Sequence, residues 1–506
     1  MGEMNTLLSR VPIVVVVVLA QVALIVVAFQ MLSDTLVWLY SVFAVLGIIL
    51  ALYIVTSDSN PSYKTFWLAV MFLLHPIGGL LYLVFYGTSI KKKNKTFAQQ
   101  VLQKMRRNLD YDEVLMKRLK EESGVAHTQA FYLKNRASAP VYDDTKVKYL
   151  DSGEEYFKWM IREMRRAERF IFLEYFIIGR GQLWDEVLKV LQEKVAEGVE
   201  VRVMYDDFGC MRSLPFGYVR RLRKMGIRAV AFNPLMSVVA ARFNHRTHRK
   251  ITVIDGKVGF TGGANIADEY INAKDKCGHW KDAGVMVRGG AVHSLTVMFL
   301  ALWDTVSGER SNDQKYFEEV AQEGDGYVAP FTSGPSKEYS VATMVYTNMI
   351  TKATKEICIT TPYLVPDDGF LATLRAAAEC GVDVKIITPG RVFQKIVHQV
   401  TKSYYRQLLM SGVKIYEYTP GIVHGKTIVV DGEHAVVGTI NLDYRSLHWH
   451  FECGVYMYRS SCIGDIEKDF REILAKSRAV TLAEHNKTHM VVRMNRAILR
   501  IFAPLM

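Results

Sequence analysis

The sequence is poor in cysteine, and its few cysteines follow no recognisable spacing. Six are spread through 506 residues, at Cys210, Cys277, Cys358, Cys380, Cys453 and Cys462. They form no Cys-x-x-Cys pair and no combination with histidine at a spacing that binds zinc. Scattered thiols of this kind are typical of the reducing cytosol. The sequence therefore predicts no metal site, and we expect no cofactor.

Charge is missing from two long stretches near the N-terminus, residues 11–31 and 36–55. Each is long enough to cross a hydrocarbon core of about 30 Å. A third apolar run, residues 66–86, is interrupted by a His-Pro pair and two glycines, so it either spans with a kink or enters and returns. A cleaved signal peptide is disfavoured because the first run is too long and a second follows at once. Residues 1–90 are therefore predicted to be a membrane anchor of two or three apolar helices.

Positive charge is concentrated beyond this anchor. The chain has a formal charge of +12, yet its first 90 residues hold only Arg10 and Lys64 against three acidic residues. The stretch "KKKNK" at residues 91–95 follows the last apolar run, and lysines beside a span favour the cytoplasmic side. A basic surface at a membrane suits anionic lipid headgroups. Nucleic acid would suit such a surface too, so charge alone leaves both partners open.

After a charged helical connector, residues 91–142, the chain repeats one plan of strands and helices. "EGVEVRVM" matches "CGVDVKII", "KMGIRAVAFNP" matches "MSGVKIYEYTP", and "HWKDAGVMVRG" matches "HFECGVYMYRS" in the same order. Strands that alternate with helices predict α/β lobes. We expect two duplicated lobes, residues 143–330 and 331–484, each with a mixed, mostly parallel sheet flanked by helices.

Residues 485–506 are predicted to form a basic amphipathic helix. Helical periodicity separates two faces. The apolar face holds Met494, Ile498, Ile501 and Leu505, and the basic face holds Arg493, Arg496 and Arg500. Two interpretations remain open: a helix that lies on a membrane surface, or one that packs on the protein's own lobe.

Each lobe contains a strand that starts with histidine and lysine two residues apart, in "THRKITVIDG" and "VHGKTIVVDG". Alternation along a strand puts His248 and Lys250 on one face, and likewise His424 and Lys426. A single His-x-Lys on a strand is usually a solvated edge. Its repetition at matching positions of a duplicated fold favours a functional site instead.

Each of these strands runs into an Asp-Gly pair, a strong hairpin signal. Asp255 and Asp431 point to the face opposite the histidine and lysine, so we expect them to support the turn. The return strands bring Asn265 and Asn441 back to about the level of the histidines. Each lobe thus offers one histidine, one lysine and one asparagine in close reach.

These residue types suit chemistry at a phosphodiester. Lysine and asparagine can bind non-bridging phosphate oxygens, and histidine can act as nucleophile or proton donor near neutral pH. Two facing lobes would place one imidazole on each side of a phosphorus atom. One would attack while the other protonates the departing oxygen, without a metal.

The pattern His-x-Lys-x4-Asp-x6-Gly-x2-Asn occurs twice, beginning at His248 and at His424. It resembles the paired HKD signature of the phospholipase D superfamily, over residues 143–460. The usual serine after the motif glycine is Gly263 in the first copy and Thr439 in the second. "TTPYLVPDD", "NLDYRS", the closing "FAPLM" and the N-terminal apolar runs are similar to bacterial cardiolipin synthases. The third apolar run departs from the two expected, which affects the anchor's topology.

The resemblance implies a phosphatidyltransferase that converts two phosphatidylglycerol molecules into cardiolipin and glycerol through a phosphatidyl-histidine. It assigns catalytic roles to His248, Lys250, Asp255, His424, Lys426 and Asp431, and substrate binding to Asn265 and Asn441. By family habit His248 is the nucleophile and His424 the acid and base, which the residues alone do not distinguish. Asp282 and Glu452 would each hold a histidine's second nitrogen, and Arg445 would form a supporting ion pair.

The resemblance also implies a multi-pass protein of the bacterial cytoplasmic membrane with its lobes in the cytoplasm. The expected partners are phosphatidylglycerol and other anionic membrane lipids rather than nucleic acid, and self-association is left open. Three rivals share the constellation. A nuclease would need no apolar segments, a membrane-bound phospholipase D would release phosphatidic acid, and a phosphatidylserine synthase would differ only in the acceptor.

Overall fold

A computed structural model describes residues 34–75, 77–86, 97–233, 245–318, 322–335, 340–392 and 394–505. The chain divides into two compact units, residues 1–90 and residues 91–506. The first predicted span, residues 11–31, and the lysine cluster at residues 91–95 lie outside the described residues.

The N-terminal unit is helical in its described part, with α1 (Asp34–Thr56), α2 (Pro61–Leu73) and α3 (Gly78–Tyr86). Within the described residues, only α1 contains a segment long and apolar enough to cross a membrane, Val37–Thr56, with a mean hydropathy of 2.4. This helix makes the protein a candidate for membrane association. The multi-pass topology stays a prediction.

The third apolar run is a helical hairpin rather than one continuous helix. The chain turns so tightly between α2 and α3 that a Cβ on Gly78 would lie 2.8 Å from the carbonyl oxygen of Val70. The ring of Trp67 on α2 packs edge-on against Tyr82 on α3, 5.2 Å between centroids. With thirteen residues α2 rises about 20 Å, and with nine residues α3 rises about 13 Å. Neither helix is long enough to cross the hydrocarbon core alone. This geometry favours the alternative in which the run enters and returns.

Three short helices open the second unit: α4 (Phe97–Arg107), α5 (Glu113–Glu122) and α6 (Gly124–Tyr132). Side-chain caps fix the starts of the last two: Asp112 accepts the backbone N–H groups of Val114 and Leu115 at the head of α5, and Ser123 accepts that of Ala126 at the head of α6. A π-helical turn, Leu133–Ala137, follows. The region contributes buried side chains to the cores of both lobes, so it is packed structure and not a free linker.

The first lobe is built on a seven-stranded sheet in the order β1-β8-β6-β5-β2-β3-β4. Its strands are β1 (Thr145–Leu150), β2 (Phe170–Tyr175), β3 (Glu200–Asp206), β4 (Arg228–Phe232), β5 (Ile251–Ile254), β6 (Val258–Gly262) and β8 (Gly284–Gly289), with a short β7 (His279–Lys281) outside the sheet. Its helices are α7 (Gly153–Met164), α8 (Gln182–Ala196), α9 (Asp207–Cys210), α10 (Tyr218–Lys224) and the buried α11 (Val292–Ser307), with 3-10 turns at Asp268–Ile271 and Asp313–Tyr316.

The second lobe has an eight-stranded sheet in the order β19-β13-β12-β10-β15-β16-β18-β9. Its strands are β9 (Tyr327–Ser333), β10 (Glu356–Thr360), β12 (Asp383–Pro389), β13 (Lys414–Tyr418), β15 (Thr427–Val430), β16 (His434–Gly438), β18 (Glu452–Tyr458) and β19 (Ser477–Val480), with short β11 (Leu364–Val365), β14 (Gly421–Val423) and β17 (Leu442–Asp443). Its helices are α12 (Val341–Thr351), α13 (Asp368–Glu379), α14 (Lys395–Met410), α15 (Cys462–Ala475), α16 (Leu482–Asn486) and α17 (Met490–Ile501), with a π-helical turn at Arg445–Trp449 and a 3-10 turn at Ala503–Leu505.

The predicted duplication and the mixed sheets are confirmed, but antiparallel pairs outnumber parallel ones. Within the two large sheets, only β2-β3-β4 and β10-β12-β13 run parallel. The strands that follow the His-x-Lys motifs, β5 and β15, join β2 and β10 antiparallel, and each then folds back in a hairpin. Tight hairpins impose antiparallel pairing, so half of each sheet departs from the βαβ pattern.

The C-terminal helix α17 packs on α14 through its arginines. Arg496 donates to Gln399, and Arg500 donates to Gln407 and lies 4.2 Å from the ring centroid of Tyr404. The apolar stripe of Val491, Met494, Ile498, Ile501 and Leu505 remains between 37 % and 65 % exposed. The contact with the protein's own lobe therefore uses the basic face. The predicted membrane contact would have to use the apolar face.

Candidate active site

The lobes join through two equivalent backbone junctions, one beside each motif histidine. At the first, β14 pairs parallel with β7, and the N–H of His424 donates to the carbonyl of Lys281 at 2.6 Å. At the second, Thr247 bridges Phe451, whose carbonyl accepts the N–H of His248 at 2.8 Å. Each junction ties the start of one motif strand to the opposite lobe. The two histidines are thereby held at one interface.

Each histidine is held by a carboxylate from the other lobe. The Nδ1 atom of His248 lies 2.9 and 3.0 Å from the two carboxylate oxygens of Glu452. The Nδ1 atom of His424 lies 2.7 Å from Oδ2 of Asp282. Both acidic side chains are completely buried. A proton on Nδ1 facing the carboxylate leaves Nε2 as the atom that can attack or exchange a proton.

Two buried lysines lie next to these imidazoles. Lys250 Nζ donates to the backbone carbonyl of its neighbour His248 at 2.6 Å. Lys426 Nζ donates to the carbonyl of His424 and lies 2.8 and 3.1 Å from that residue's ring nitrogens. Burial lowers the pKa of Lys250 to about 8 and that of Lys426 to about 7. A bound phosphate anion would favour the charged form of both lysines and so offset the effect of burial on their pKa values.

The same surroundings keep the imidazoles neutral. Burial, followed by the charges of Lys250 and Lys426, holds the pKa of His248 well below its usual range. Burial and Lys426 lower the pKa of His424 to about 4. The nucleophile must present a free nitrogen lone pair, and a neutral imidazole does so at physiological pH.

The two carboxylates differ in their proton affinity. Burial raises the pKa of Asp282, but its close contact and hydrogen bond with His424, together with Lys426, outweigh burial and leave that pKa below the usual value. Burial prevails at Glu452 and raises its pKa. An ionised Asp282 can stabilise an imidazolium at His424, which suits His424 to donate a proton.

The motif asparagines have different surroundings. Asn265 is tied into the fold, because its Oδ1 accepts the N–H of Ile177 at 3.0 Å and its Nδ2 donates to the hydroxyl of Tyr270 at 2.7 Å. Tyr270 in turn packs edge-on against His424, with 5.3 Å between ring centroids. Asn441 is also buried, but its Oδ1 has no hydrogen-bond partner in the described part of the chain. Oδ1 can only accept a hydrogen bond, so a contact from Asn441 to a phosphate oxygen would have to come from its Nδ2.

In the first copy of the motif, Gly263 replaces the usual serine for a steric reason. A Cβ on Gly263 would overlap the carboxylate of Asp282 and lie 2.8 Å from the carbonyl of His424. Only glycine leaves room for the cross-lobe contact there. In the second copy, the hydroxyl of Thr439 donates to Glu452. The two positions thus support the two carboxylates in different ways.

Asp255 and Asp431 are not brought to this site, contrary to their grouping with the catalytic residues. Each stands seven residues beyond its histidine, roughly 20 Å along an extended strand. Asp255 accepts three successive backbone N–H groups, from Glu168 to Phe170, at 2.8 to 2.9 Å. Asp431 binds the equivalent N–H groups of residues 354–356. These carboxylates anchor the hairpins, as the strand alternation predicts.

Arg445 does not form the expected ion pair. Its Nε donates to the backbone carbonyl of Leu505 at 3.0 Å, and no acidic partner lies within ion-pair distance in the described residues. Arg445 therefore fastens the C-terminal turn to the second lobe.

Aromatic rings that the sequence analysis did not assign surround both histidines. Phe176 packs edge-on against His248 at 5.0 Å, and Trp280 lies 5.2 Å from His424. Trp280 precedes Asp282 by two residues as His450 precedes Glu452, so the duplication itself was a usable signal. These rings restrict water around the imidazoles and strengthen electrostatic interactions there.

His450 completes a group of three candidate metal ligands with His248 and Glu452. One ligand atom from each lies within 4.8 Å of the others. The charge of Lys250 reaches all three side chains and opposes the binding of a cation. The charge of Lys250 therefore disfavours a cation at this position.

Two family descriptions match the chain. "Cardiolipin synthase, PLD-like domain" matches residues 160–292 and again residues 346–474. "Phospholipase_D-nuclease N-terminal" matches residues 45–85. The double match falls on the two lobes, and the N-terminal match covers the second half of α1, all of α2 and all but the last residue of α3.

Full-length relatives agree with these descriptions. A cardiolipin synthase of Geobacillus kaustophilus is 34 % identical over 98 % of this chain and 99 % of its own length. A cardiolipin synthase of Alkalihalophilus pseudofirmus is 34 % identical over 92 % of this chain and 93 % of its own. An uncharacterized protein of Streptococcus mutans is 42 % identical over 90 % of this chain and 99 % of its own length.

Among solved structures, the phosphatidylserine synthase of Haemophilus influenzae superposes with a TM-score of 0.58. It covers 75 % of this chain and 98 % of its own, at 15 % sequence identity. At that identity the likeness supports the two-lobed fold and leaves the substrate open.

Proposed function

This chain belongs to the phospholipase D-type bacterial cardiolipin synthases and is a phosphatidyltransferase, and we propose that it joins two phosphatidylglycerol molecules into cardiolipin and glycerol. One observation carries the proposal: two buried His-carboxylate pairs and two buried lysines converge on one interface between duplicated lobes. A two-step transfer needs a nucleophile and a separate proton donor on opposite sides of one phosphorus.

In the first step Nε2 of His248 attacks the phosphorus of one phosphatidylglycerol. The bond from phosphorus to the glycerol oxygen breaks, and His424 delivers a proton to that oxygen so that neutral glycerol leaves. The bound phosphodiester raises the pKa of His424 by its negative charge, and ionised Asp282 stabilises the imidazolium. Lys250 and Lys426 neutralise the non-bridging oxygens in the dry site.

In the second step the terminal hydroxyl of another phosphatidylglycerol attacks the phosphatidyl-histidine. His424 takes the hydroxyl proton, the new phosphorus–oxygen bond forms, and His248 leaves as a neutral imidazole. The enzyme returns to its starting state, and no nucleotide or net proton is consumed. Asn441 is proposed to contact the phosphate oxygens, with Asn265 acting through Tyr270 next to His424.

We also propose how the domains are arranged at the membrane. Residues 1–90 anchor the chain in the cytoplasmic membrane, with α1 as one span, and the lobes work on the cytoplasmic side where phosphatidylglycerol is available. The lysine cluster at residues 91–95 supports this orientation.

The product distribution from phosphatidylglycerol alone tests the proposal. We expect purified protein in mixed micelles to make cardiolipin and free glycerol in equal amounts, without an added nucleotide lipid. Release of phosphatidic acid as the only lipid product would instead identify a hydrolase. A strict requirement for a nucleotide-activated lipid and serine would identify a phosphatidylserine synthase.

A further inference from the structure

The segment between β3 and α10, residues 207–217, exposes three large apolar side chains. Among the residues that the structure describes, Phe208 is 42 %, Met211 is 51 % and Phe216 is 94 % exposed. We call these three side chains the apolar lip. Single exposed apolar side chains are normal on a protein surface, but three on one short segment indicate that a partner covers them.

The segment is firmly attached to the motif strand of the first lobe. One carboxylate oxygen of Asp206 accepts the N–H groups of Phe208 and Gly209 at 3.0 Å. The other oxygen accepts the N–H of Thr247, the residue before His248, at 3.1 Å. The apolar lip therefore belongs to an ordered segment that is fixed beside the proposed nucleophile.

The charge of this region indicates which partner fits it. Residues 208–224 contain five basic residues and no acidic one, and all five are exposed: Arg212, Arg220, Arg221, Arg223 and Lys224. Exposed apolar side chains accompanied by arginine and lysine are typical of protein surfaces that enter the headgroup layer of an anionic membrane. There the cations contact phosphate groups while the apolar side chains reach the upper part of the acyl chains.

Contacts across the lobe interface connect the apolar lip with the C-terminal helix. The guanidinium of Arg246 lies 5.1 Å from the ring centroid of Phe208. Burial lowers the pKa of Arg246, and the nearby charge of Arg445 lowers it further. Arg445 donates to the carbonyl of Leu505, which belongs to the exposed apolar stripe of α17. Two exposed apolar surfaces, one from each lobe, therefore lie near the same pair of arginines.

This arrangement favours a membrane over a protein as the partner. A bilayer is an extended surface that can contact both lobes at once, and α1 already makes the chain a candidate for membrane association. Pulling a phospholipid fully into water is unfavourable, because each methylene group of its acyl chains loses its apolar surroundings. A site that is held against the headgroup layer avoids that step.

We propose that the apolar lip inserts into the headgroup layer of an anionic bilayer and holds the interface between the lobes close to the lipid phosphates. The contact depends only on the exposed side chains and their charge. Its purpose, the delivery of phosphatidylglycerol to His248 and His424, rests on the proposed function. The acyl chains stay in the hydrocarbon core while the phosphodiester enters between the lobes.

Quenchers attached to lipid test the contact directly. The full-length protein in phosphatidylglycerol nanodiscs carries the fluorophore NBD at Phe216→Cys, with the two cysteines that are not buried, Cys277 and Cys380, replaced by serine. The matched control carries the label at Phe317→Cys. We expect lipid with a nitroxide at the start of its acyl chain to quench the label at position 216 several-fold more strongly than the label at position 317.

The control position is an exposed phenylalanine at the far end of the same lobe. Phe317 is 47 % exposed, and the next residue, Glu318, forms an ion pair with Arg169 just before β2. From there β2 runs roughly 20 Å to Phe176, which packs on His248. Equal quenching at both positions would overturn the membrane contact. Protection of position 216 from aqueous iodide without quenching by the lipid nitroxide would identify a protein partner and overturn it as well.

A kinetic comparison tests the purpose of the contact. The value of kcat/KM is measured for long-chain phosphatidylglycerol in nanodiscs and for monomeric dihexanoyl phosphatidylglycerol supplied to the enzyme in phosphatidylcholine nanodiscs. We expect Phe216→Ser to lower the ratio of the first value to the second about tenfold, because only the bilayer substrate depends on the inserted ring. Phe317→Ser should leave the ratio unchanged.

Both values come from one protein preparation, so a partly unfolded variant still gives a valid ratio. An unchanged ratio in Phe216→Ser would overturn the role of the apolar lip in substrate delivery. A wild-type enzyme that forms no cardiolipin would overturn the proposed function, while the quenching experiment would still decide the membrane contact.

Discussion

Glu452 of the second lobe holds the imidazole of His248 in the first, with its carboxylate oxygens 2.9 and 3.0 Å from Nδ1. The reciprocal pair of Asp282 and His424 crosses the interface in the other direction at 2.7 Å. Neither lobe carries the acidic partner of its own histidine. The proposed catalytic groups are therefore complete only when both lobes are folded and packed together.

Removing the charge of Glu452 or Asp282 should strongly reduce the rate of phosphatidyl transfer without unfolding the protein. Glu452→Gln and Asp282→Asn keep the shape of the side chain but favour the wrong imidazole tautomer, and a comparable change in a catalytic triad costs about 10⁴ in rate. We expect kcat for cardiolipin formation to fall by about 10³ to 10⁴ while KM changes little. Glu433→Gln, at an exposed pair with Arg459, is the control. A fall of less than about tenfold would remove the acidic residue from this role.

A substrate with a better leaving group should separate the two histidines. A phosphatidyl ester of p-nitrophenol needs no protonation of the leaving oxygen, so it bypasses the acid. We expect His424→Asn to release p-nitrophenol at a rate within about tenfold of the wild type while losing cardiolipin synthesis. His248→Asn should lose both activities. The opposite pattern would reverse the assignment of nucleophile and acid.

The two lysines should set the alkaline limit of activity. Their pKa values of about 8 and about 7 mean that the charge is present below these values and lost above them in the free enzyme. We expect kcat/KM, which reports the free enzyme, to begin falling above about pH 7, where Lys426 loses its charge, and to fall more steeply above about pH 8, where Lys250 follows. No acid limb from the nucleophile His248 should appear near neutral pH, because burial and the charges of Lys250 and Lys426 hold the pKa of its imidazole well below the usual range. A kcat/KM that still rises through pH 9 would contradict this charge state.

The hairpin aspartates should matter for stability and not for chemistry. Asp431→Ala leaves three backbone N–H groups without their acceptor, at a cost of about 1 to 3 kcal/mol. We expect Tm to fall by several degrees and kcat per folded molecule to stay within about twofold. A loss of kcat without a loss of Tm would return Asp431 to the catalytic group.

This stabilisation should depend on pH in a defined direction. Burial raises the pKa of Asp431, but the hydrogen bonds from residues 354–356 outweigh it and leave the folded pKa below the usual value for an aspartate. The contribution is therefore complete above about pH 4 and is lost as the pH falls through the folded pKa. Thermal unfolding of wild type and Asp431→Ala should converge at low pH.

The apolar stripe of α17 is predicted to contact lipid. Its arginines contact α14, and the apolar stripe on the other side of the helix is exposed among the residues that the structure describes. A nitroxide at Ile498→Cys, with Cys277 and Cys380 replaced by serine, should become more accessible to oxygen than to a nickel chelate in phosphatidylglycerol nanodiscs. The control label at Ala497→Cys lies about 100° round the helix. Equal accessibility at both positions would mean that α17 does not enter the membrane.

Local pattern in the sequence determined the chemistry-bearing residues and the duplicated lobes. Period-two alternation separated His248 and Lys250 from Asp255, and the repeat revealed Asp282 and Glu452 as equivalent positions. These features depend on neighbouring residues along one strand or on the comparison of two repeated sequence segments, so no long-range contact is needed to detect them. The predominance of antiparallel pairs was missed because strand order within a sheet is a non-local property.

Only the tertiary structure decided how those residues combine. The exchange of carboxylates between lobes, the bond of Arg445 to the Leu505 carbonyl, and the attachment of the apolar lip to Thr247 through Asp206 all join segments that are distant in sequence. The same holds for Gly263, whose missing side chain makes room for Asp282 of the cross-lobe pair. Such contacts follow from how two packed lobes meet, and side-chain spacing within either lobe carries no information about that interface.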